Sequence, residues 1–220
     1  ISAADHVIAN TPELKTELQT RYPFLSENRI SAITNGFEDY MPDGQVDPNM
    51  MTVTHAGTLN LRNPKTLLQA AIQLIERGEI SPEKLRFVLL GGIQVPDPEL
   101  PGVLAHPLLK DVVQILPRMP YREAVQVQQR SDVLLLLQPS GFPMQIPRKL
   151  YEYIAYRKPI LAITTGEGAT ARIIRENQLG IVVEEDPALI AVALRTLYRQ
   201  WEQQALEVSR SQGDQFLNRN

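Results

Sequence analysis

Eight short apolar runs alternate with helix-period stretches along the 220 residues, and this alternation narrows the possible folds more than any other feature. The runs are HVIAN (6–10), RISAIT (29–34), TVTHAG (52–57), LRFVLLG (85–91), VVQIL (112–116), DVLLLL (132–137), PILAIT (159–164) and GIVVE (180–184). Several are apolar on both sides of the pleat, as strands covered by helices on both faces must be. Between them, TPELKTELQTRY opens with Thr11 as N-cap and Pro12 at the first helical position. NPKTLLQAAIQLIERG spaces Leu67, Leu68, Ala71, Leu74 and Ile75 by threes and fours and stops at Gly78. YREAVQVQQRSD, PRKLYEYIAYRK, GATARIIRENQLG and PALIAVALRTLYRQWEQQ complete the helices. The pattern predicts an α/β fold with a doubly wound, parallel, Rossmann-like sheet. PDGQVDPNMM (42–51) has the turn chemistry of a linker, and VPDPELPG (95–102) reads as a long loop.

Composition removes several functional classes. Hydrophobic residues make up 43%, enough for a core at this length, which suits one large α/β domain or a domain and a half. The net charge of −3 excludes a basic nucleic-acid coat and an acidic disordered tail, so no nucleic-acid partner is expected. With no Cys there is no disulfide framework and no thiolate chemistry, and a reducing, cytoplasmic compartment suits the chain. His6, His55 and His106 lie far apart and no Asp-x-Asp follows a strand, so no metal site is expected. No run approaches the roughly 20 apolar residues of a transmembrane helix. The chain starts at Ile1, and its opening reads as the middle of a longer protein.

Ligands of open parallel sheets sit beyond the carboxyl ends of the strands. The segments found there are GTLNLRNPKT, GGIQVPD, PRMPYRE, QPSGFPMQIPRKLYEY and TGEGAT. Their glycines and cations suit an anionic, phosphate-bearing ligand, although Gly and Arg are also common in ordinary surface loops. The stretch 139–153 is the sharpest. Pro147 marks a helix start, with Arg148, Lys149, Glu152 and Tyr153 in its first two turns. Cations there oppose the helix dipole by about 0.3–1 kcal/mol each, and a bound diphosphate would resolve that conflict. Glu152 shares a face with Lys149 and could accept hydrogen bonds from the vicinal hydroxyls of a ribose. The alternative is a surface ion pair between Lys149 and Glu152, worth little.

The segment from Ile146 to Tyr198 (IPRKLYEYIAYRKPILAITTGEGATARIIRENQLGIVVEEDPALIAVALRTLY) resembles the donor-binding half of GT-B glycosyltransferases of family four, the glycosyl transferases group 1. Four other segments follow in the family's order: ADHVIANTPELKTEL, ITNGFED, HAGTLNLRNPKTLLQAA and VQILPRMPYREAVQVQQRSDVLLLLQP. The resemblance implies that residues 1–36 are the tail of an acceptor-side domain with its hinge. Residues 37–206 would bind the nucleotide sugar, and 207–220 would be a C-terminal helix. It further implies a nucleoside diphosphate sugar as substrate, no cofactor, and an N-terminal acceptor domain of the same parent chain as partner. Retention of anomeric configuration and a membrane-peripheral location through that domain are compatible with it. Glu152 matches the residue that holds the ribose, and Arg148 and Lys149 match positions near the phosphates. Arg62, with Gly57, Thr58, Gly91 and Gly92, falls in the glycine-rich diphosphate loops, while Leu116, Pro117 and Arg118 fall beside the base. Arg62, Lys149 and the helix end would stabilise the departing diphosphate.

Two positions depart from the family pattern. The first Glu of its spaced pair falls at Met144, and the Arg frequent after the loop Gly is Thr58. Other readings compete. GEGATA (166–171), followed by Glu184 and Glu185, satisfies a dinucleotide fingerprint on paper, but that fingerprint belongs to a first strand–helix unit and only one strand follows here. A nucleotide-sugar epimerase shares the donor half, and Met144 favours a binding module without turnover. Trp201 reads as helix packing, His55 as structural, and Ser140 lies outside any nucleophile elbow. The Glu184–Asp186 run reads as a cap for the next helix.

Overall fold

Val7–Ala9 forms β1 and Ile30–Ala32 forms β2, a parallel pair joined through helix α1 (Pro12–Arg21) in this computed structural model, which describes residues 1–36 and 44–206. The Thr11 hydroxyl accepts from the Leu14 N–H at 3.0 Å, the expected N-cap. Ile8 and Ile33 of this small layer are 64% and 57% exposed. The 207–220 helix expected from sequence, the end of ITNGFED and the start of the 42–51 linker lie outside the described residues.

The main unit then alternates without interruption. Its elements are β3 (Met51–Ala56), α2 (Lys65–Glu76), β4 (Leu85–Leu90), α3 (Leu100–Leu104), β5 (Val113–Leu116) and α4 (Tyr121–Gln129). They continue with β6 (Val133–Leu137), α5 (Arg148–Ala155), β7 (Ile160–Ile163), α6 (Ala169–Glu176), β8 (Gly180–Val183) and α7 (Pro187–Glu202). The six strands are parallel in the order β5-β4-β3-β6-β7-β8. This is the Rossmann-like arrangement that the sequence predicts, and its order reverses between β3 and β6. A crevice opens at that reversal, beyond the carboxyl ends of both strands.

Strand β6 shows why the apolar runs had to be strands. Val133, Leu135 and Leu137 pack with α2 and α7 on one face, while Leu134 and Leu136 pack with α5 and α6 on the other. All five are at most 4% exposed. Burying such a side chain stabilises the fold by about 1.5–3 kcal/mol, which fixes the sheet in the centre of two helical layers. Gly78 takes φ 67° just past α2, and Asp186 caps α7 by accepting from the Ala188 and Leu189 N–H groups, each at 2.9 Å.

One expectation is corrected. Residues 95–102 are not all loop, because α3 begins at Leu100. Pro101 lies in the first turn of α3, where a missing N–H costs nothing, and Leu100 is buried at 2% exposure.

Candidate functional site

At the crevice, main-chain pairing between β3 and β6 runs from Val53↔Val133 to Thr54↔Leu134. Beyond that point side chains bridge the two strands. His55 Nδ1 lies 3.1 Å from the Leu135 oxygen, and the Tyr153 hydroxyl donates to the same oxygen at 3.2 Å. The Ala56 N–H in turn donates to the Tyr153 hydroxyl at 3.2 Å. Because Leu135 offers only an acceptor, its bond assigns the imidazole hydrogen to Nδ1 and leaves a lone pair on Nε2. Burial, then the nearby Lys149 charge, holds the His55 pKa well below its usual range, so the ring is neutral.

Lys149 meets that lone pair. Its Nζ lies 3.3 Å from His55 Nε2 and donates to the Ala56 oxygen at 2.6 Å. Desolvation, followed by repulsion from Arg62, lowers its pKa to about 7 against the opposing pull of Glu152. The turn above is Gly57, at φ 116°, where a Cβ would stand 3.2 Å from the ammonium.

The predicted glycines come together here. Gly91, at φ 109°, approaches so closely that a Cβ would lie 2.8 Å from the Gly57 carbonyl carbon. Thr58 Oγ1 donates to the Gly91 oxygen at 3.1 Å, and the Leu59 N–H donates to Gly92 at 3.0 Å. The Gly91 N–H reaches the Leu116 oxygen at 2.9 Å, tying the end of β5 into the same surface. Leu116 is half-buried there, and Pro117 and Arg118 are exposed.

Arg62 follows on the loop toward α2. It lines a cleft of about 280 Å³ with Gln138, Phe142, Gln145 and Pro147, just below the roughly 300–1,000 Å³ range of ligand pockets. Its Nε is shielded from solvent and has no hydrogen-bond partner among the described residues. The loop 139–147 on the opposite wall is held by Gln138, whose amide donates to the Phe142 and Gln145 oxygens, each at 2.8 Å. Met144, also on that loop, faces a separate groove beside Glu13, Thr16 and Glu17 of α1.

The helix start expected at Pro147 is present, with Pro147 as N-cap of α5. Its two cations part company. Arg148 stays on the surface and pairs through Nε with Glu152 Oε1 at 3.2 Å. Lys149 turns inward to β3. The surface pair between Lys149 and Glu152, the bland alternative, is replaced by this Arg148 pair. The Tyr121 hydroxyl also approaches Glu152, at 3.4 Å. The complete burial of His55 and its bond to Leu135 agree with its structural reading from sequence, but sequence reasoning missed its contact with Lys149 and the roles of Tyr153 and Gln138. A signal existed for Tyr153, which stands four residues after Lys149 and therefore on its helix face.

The GEGATA segment runs from the turn after β7 into α6; its Gly166 N–H is taken by Glu184 at 3.4 Å, and its Ala169 N–H and Thr170 hydroxyl donate to the Pro143 and Gln145 oxygens of the 139–147 loop at 2.7 and 3.3 Å. Among the described residues no three His, Asp or Glu side chains converge as metal ligands, and no helix is long and apolar enough to cross a membrane.

A family profile described as glycosyl transferases group 1 matches residues 50–200. No curated protein matches the chain by sequence. Among solved structures, it is similar to the pneumococcal O-GlcNAc transferase GtfA in complex with UDP and GlcNAc, at 17% identity and TM-score 0.68, over 98% of this chain and 42% of that one. It is similar to HepE of Anabaena in complex with UDP, at 18% identity and TM-score 0.69, over 98% of this chain and 59% of that one. It is also similar to WaaG, a glycosyltransferase involved in lipopolysaccharide biosynthesis, at 14% identity and TM-score 0.66, over 97% of this chain and 58% of that one. At these identities the likeness concerns the fold. The chain spans 42% to 59% of the length of these three proteins.

Proposed function

The chain belongs to the glycosyl transferases group 1 family and has its Rossmann-like GT-B fold, and from that premise we propose that it binds a nucleoside diphosphate sugar at the β3–β6 crevice for glycosyl transfer. One observation carries the reading. The Arg62 guanidinium, with its unpartnered Nε, lines the cleft beside Pro147 at the start of α5, and its charge acts on the Lys149 ammonium held under the Gly57 turn. The two charges repel each other, and a diphosphate is the ligand chemistry that relieves the repulsion.

In this reading Arg62, Lys149 and the N-terminal N–H groups of α5 stabilise the charge that gathers on the diphosphate as the sugar–oxygen bond breaks. Because Lys149 is already held by the Ala56 oxygen, little reorganisation of its charge accompanies that step. Glu152 accepts from the ribose hydroxyls in place of part of its Arg148 pair. Leu116, Pro117 and Arg118 border the base. That two structures of similar fold were solved with UDP supports a nucleotide as ligand. Retention at the sugar carbon is the stereochemistry we assign from the family resemblance. The acceptor would be held by a domain packing against β1, β2 and α1, whose exposed Ile8 and Ile33 suit such a neighbour. Met144, in place of a sugar-side carboxylate, favours a second reading, a nucleotide-binding unit without turnover.

Titration calorimetry with UDP, GDP, ADP and NAD tests the proposal. One nucleoside diphosphate should bind and NAD should not, and Glu152→Ala should weaken binding by more than about 1 kcal/mol with the fold intact. Binding of NAD alone would overturn the reading. Sugar transfer by the full parent protein separates a transferase from a binder.

A further inference from the structure

We propose that His55 is a positioning residue for Lys149: its Nε2 lone pair, locked in direction by the Nδ1 bond to Leu135, aims the ammonium at the Gly57 turn. The proposal rests on the reading of this crevice as a diphosphate site.

A role in bridging strands alone does not require a histidine. The Leu135 oxygen already receives the Tyr153 hydroxyl, and the Ala56 N–H is served by the same hydroxyl. What the imidazole adds is a second buried nitrogen, which costs stability unless it is hydrogen-bonded. Its Nε2 lies 3.3 Å from Lys149 Nζ, and the Gly57 main chain also interacts with the ring. The geometry is also one-sided. With Nδ1 committed as donor, Nε2 can only accept, so it can hold an ammonium or amine but not another acceptor.

An ammonium carries three hydrogens. The Ala56 oxygen takes one and His55 takes the second, leaving one for a ligand. Lysine otherwise swings freely on a four-carbon stem. Two fixed acceptors, from adjacent residues of β3, remove that freedom before a ligand arrives. The charged groups facing Lys149 are Arg62 from the loop after β3 and Glu152 from α5 itself. Neither restrains Lys149 by a hydrogen bond that the structure describes. The His55 ring must be neutral to accept, and its complete burial keeps it so.

The test is a double-mutant cycle read by UDP and UMP titration at pH 7. His55→Met keeps the bulk and removes the acceptor, and His55→Gln keeps an acceptor. His55→Met should weaken UDP about tenfold and UMP by less than about twofold, with His55→Gln within about threefold of the parent. In a Lys149→Met background, His55→Met should change UDP affinity by less than about twofold. An equal loss in both backgrounds, or no loss in either, would overturn the proposal. The unsubstituted protein supplies a second readout that needs no variant to fold. Its three histidines can be resolved in a long-range proton–nitrogen spectrum, and His55 should show hydrogen on Nδ1 and an accepting Nε2. Hydrogen on Nε2 would sink the positioning role. If the unsubstituted protein binds no nucleoside diphosphate, the functional reading fails, while the spectrum still judges the contact between His55 and Lys149.

Discussion

The Thr11 hydroxyl donates to the main-chain oxygen of Met144 at 2.8 Å across 133 positions of sequence, while its oxygen accepts from the Leu14 N–H at 3.0 Å. One fully buried side chain thus caps α1 and holds the outer edge of the loop that walls the Arg62 cleft. Thr11→Val should destabilise the protein by about 1–2 kcal/mol in urea unfolding, from the lost cap and the stranded carbonyl. It should also weaken UDP binding, and Thr11→Ser should restore both. Equal UDP affinity in the Val and Ser variants would show that the loop holds its shape without this contact.

Arg62→Met should cost UDP about 1.5–3 kcal/mol of binding and UMP distinctly less, because the guanidinium is assigned to the second phosphate. Equal losses for both nucleotides would move Arg62 away from that phosphate. The same substitution should raise the Lys149 pKa, since Arg62 repulsion is the second cause of its depression.

Lys149 also makes binding depend on pH. Its folded pKa of about 7 lies below the ordinary 10.5, so between these values the unfolded chain holds more protons and stability rises with pH. A bound diphosphate favours the ammonium and pulls the pKa back up, so binding takes up a proton above pH 7. UDP affinity should therefore fall toward alkaline pH, by up to about tenfold per pH unit. Calorimetry in two buffers of different ionisation enthalpy measures the uptake, and Lys149→Met should abolish it.

At the opposite end of the sheet, burial pushes the Asp132 pKa up to about 6, although its Oδ2 accepts from the Thr52 N–H at 2.8 Å. The folded state therefore holds the proton more tightly, and the stability it confers is lost as pH rises from about 4 to about 6. Urea unfolding should show a decline on the order of 2–3 kcal/mol over that window. Asp132→Asn should flatten it.

Gly91→Ala should place a methyl 2.8 Å from the Gly57 carbonyl carbon and 2.9 Å from the Thr58 nitrogen, at a φ of 109°. Backbone cannot yield as a flexible side chain does, so a loss of about 1–3 kcal/mol is expected in thermal unfolding, with UDP affinity reduced as the double turn opens.

The sheet was legible because fully covered parallel strands leave a plain trace, as in the Val133–Leu137 run. Each of the eight apolar runs coincides with a strand to within about two residues at either end. Helix α3 escaped because its Pro101 and Gly102 look like loop chemistry, and only tertiary burial of Leu100 settles the matter. Within the site, sequence placed Arg148, Lys149 and Glu152 on one helix start, but not which cation would pair with the acid. That choice depends on β3 lying beneath Lys149, a contact between residues 93 apart. The role of His55 was hidden for the same reason, since its partners Leu135 and Lys149 come from two other elements.

The parallel pair of β1 and β2 has a practical consequence for anyone preparing this polypeptide. Two strands form a sheet made almost wholly of margins, and open margins invite further strands from any chain that collides with them. With Ile8 and Ile33 bare on that layer, concentrated solutions of the 220 residues should self-associate through it. Lysines placed at those two positions should keep the sample monodisperse and leave the nucleotide crevice untouched.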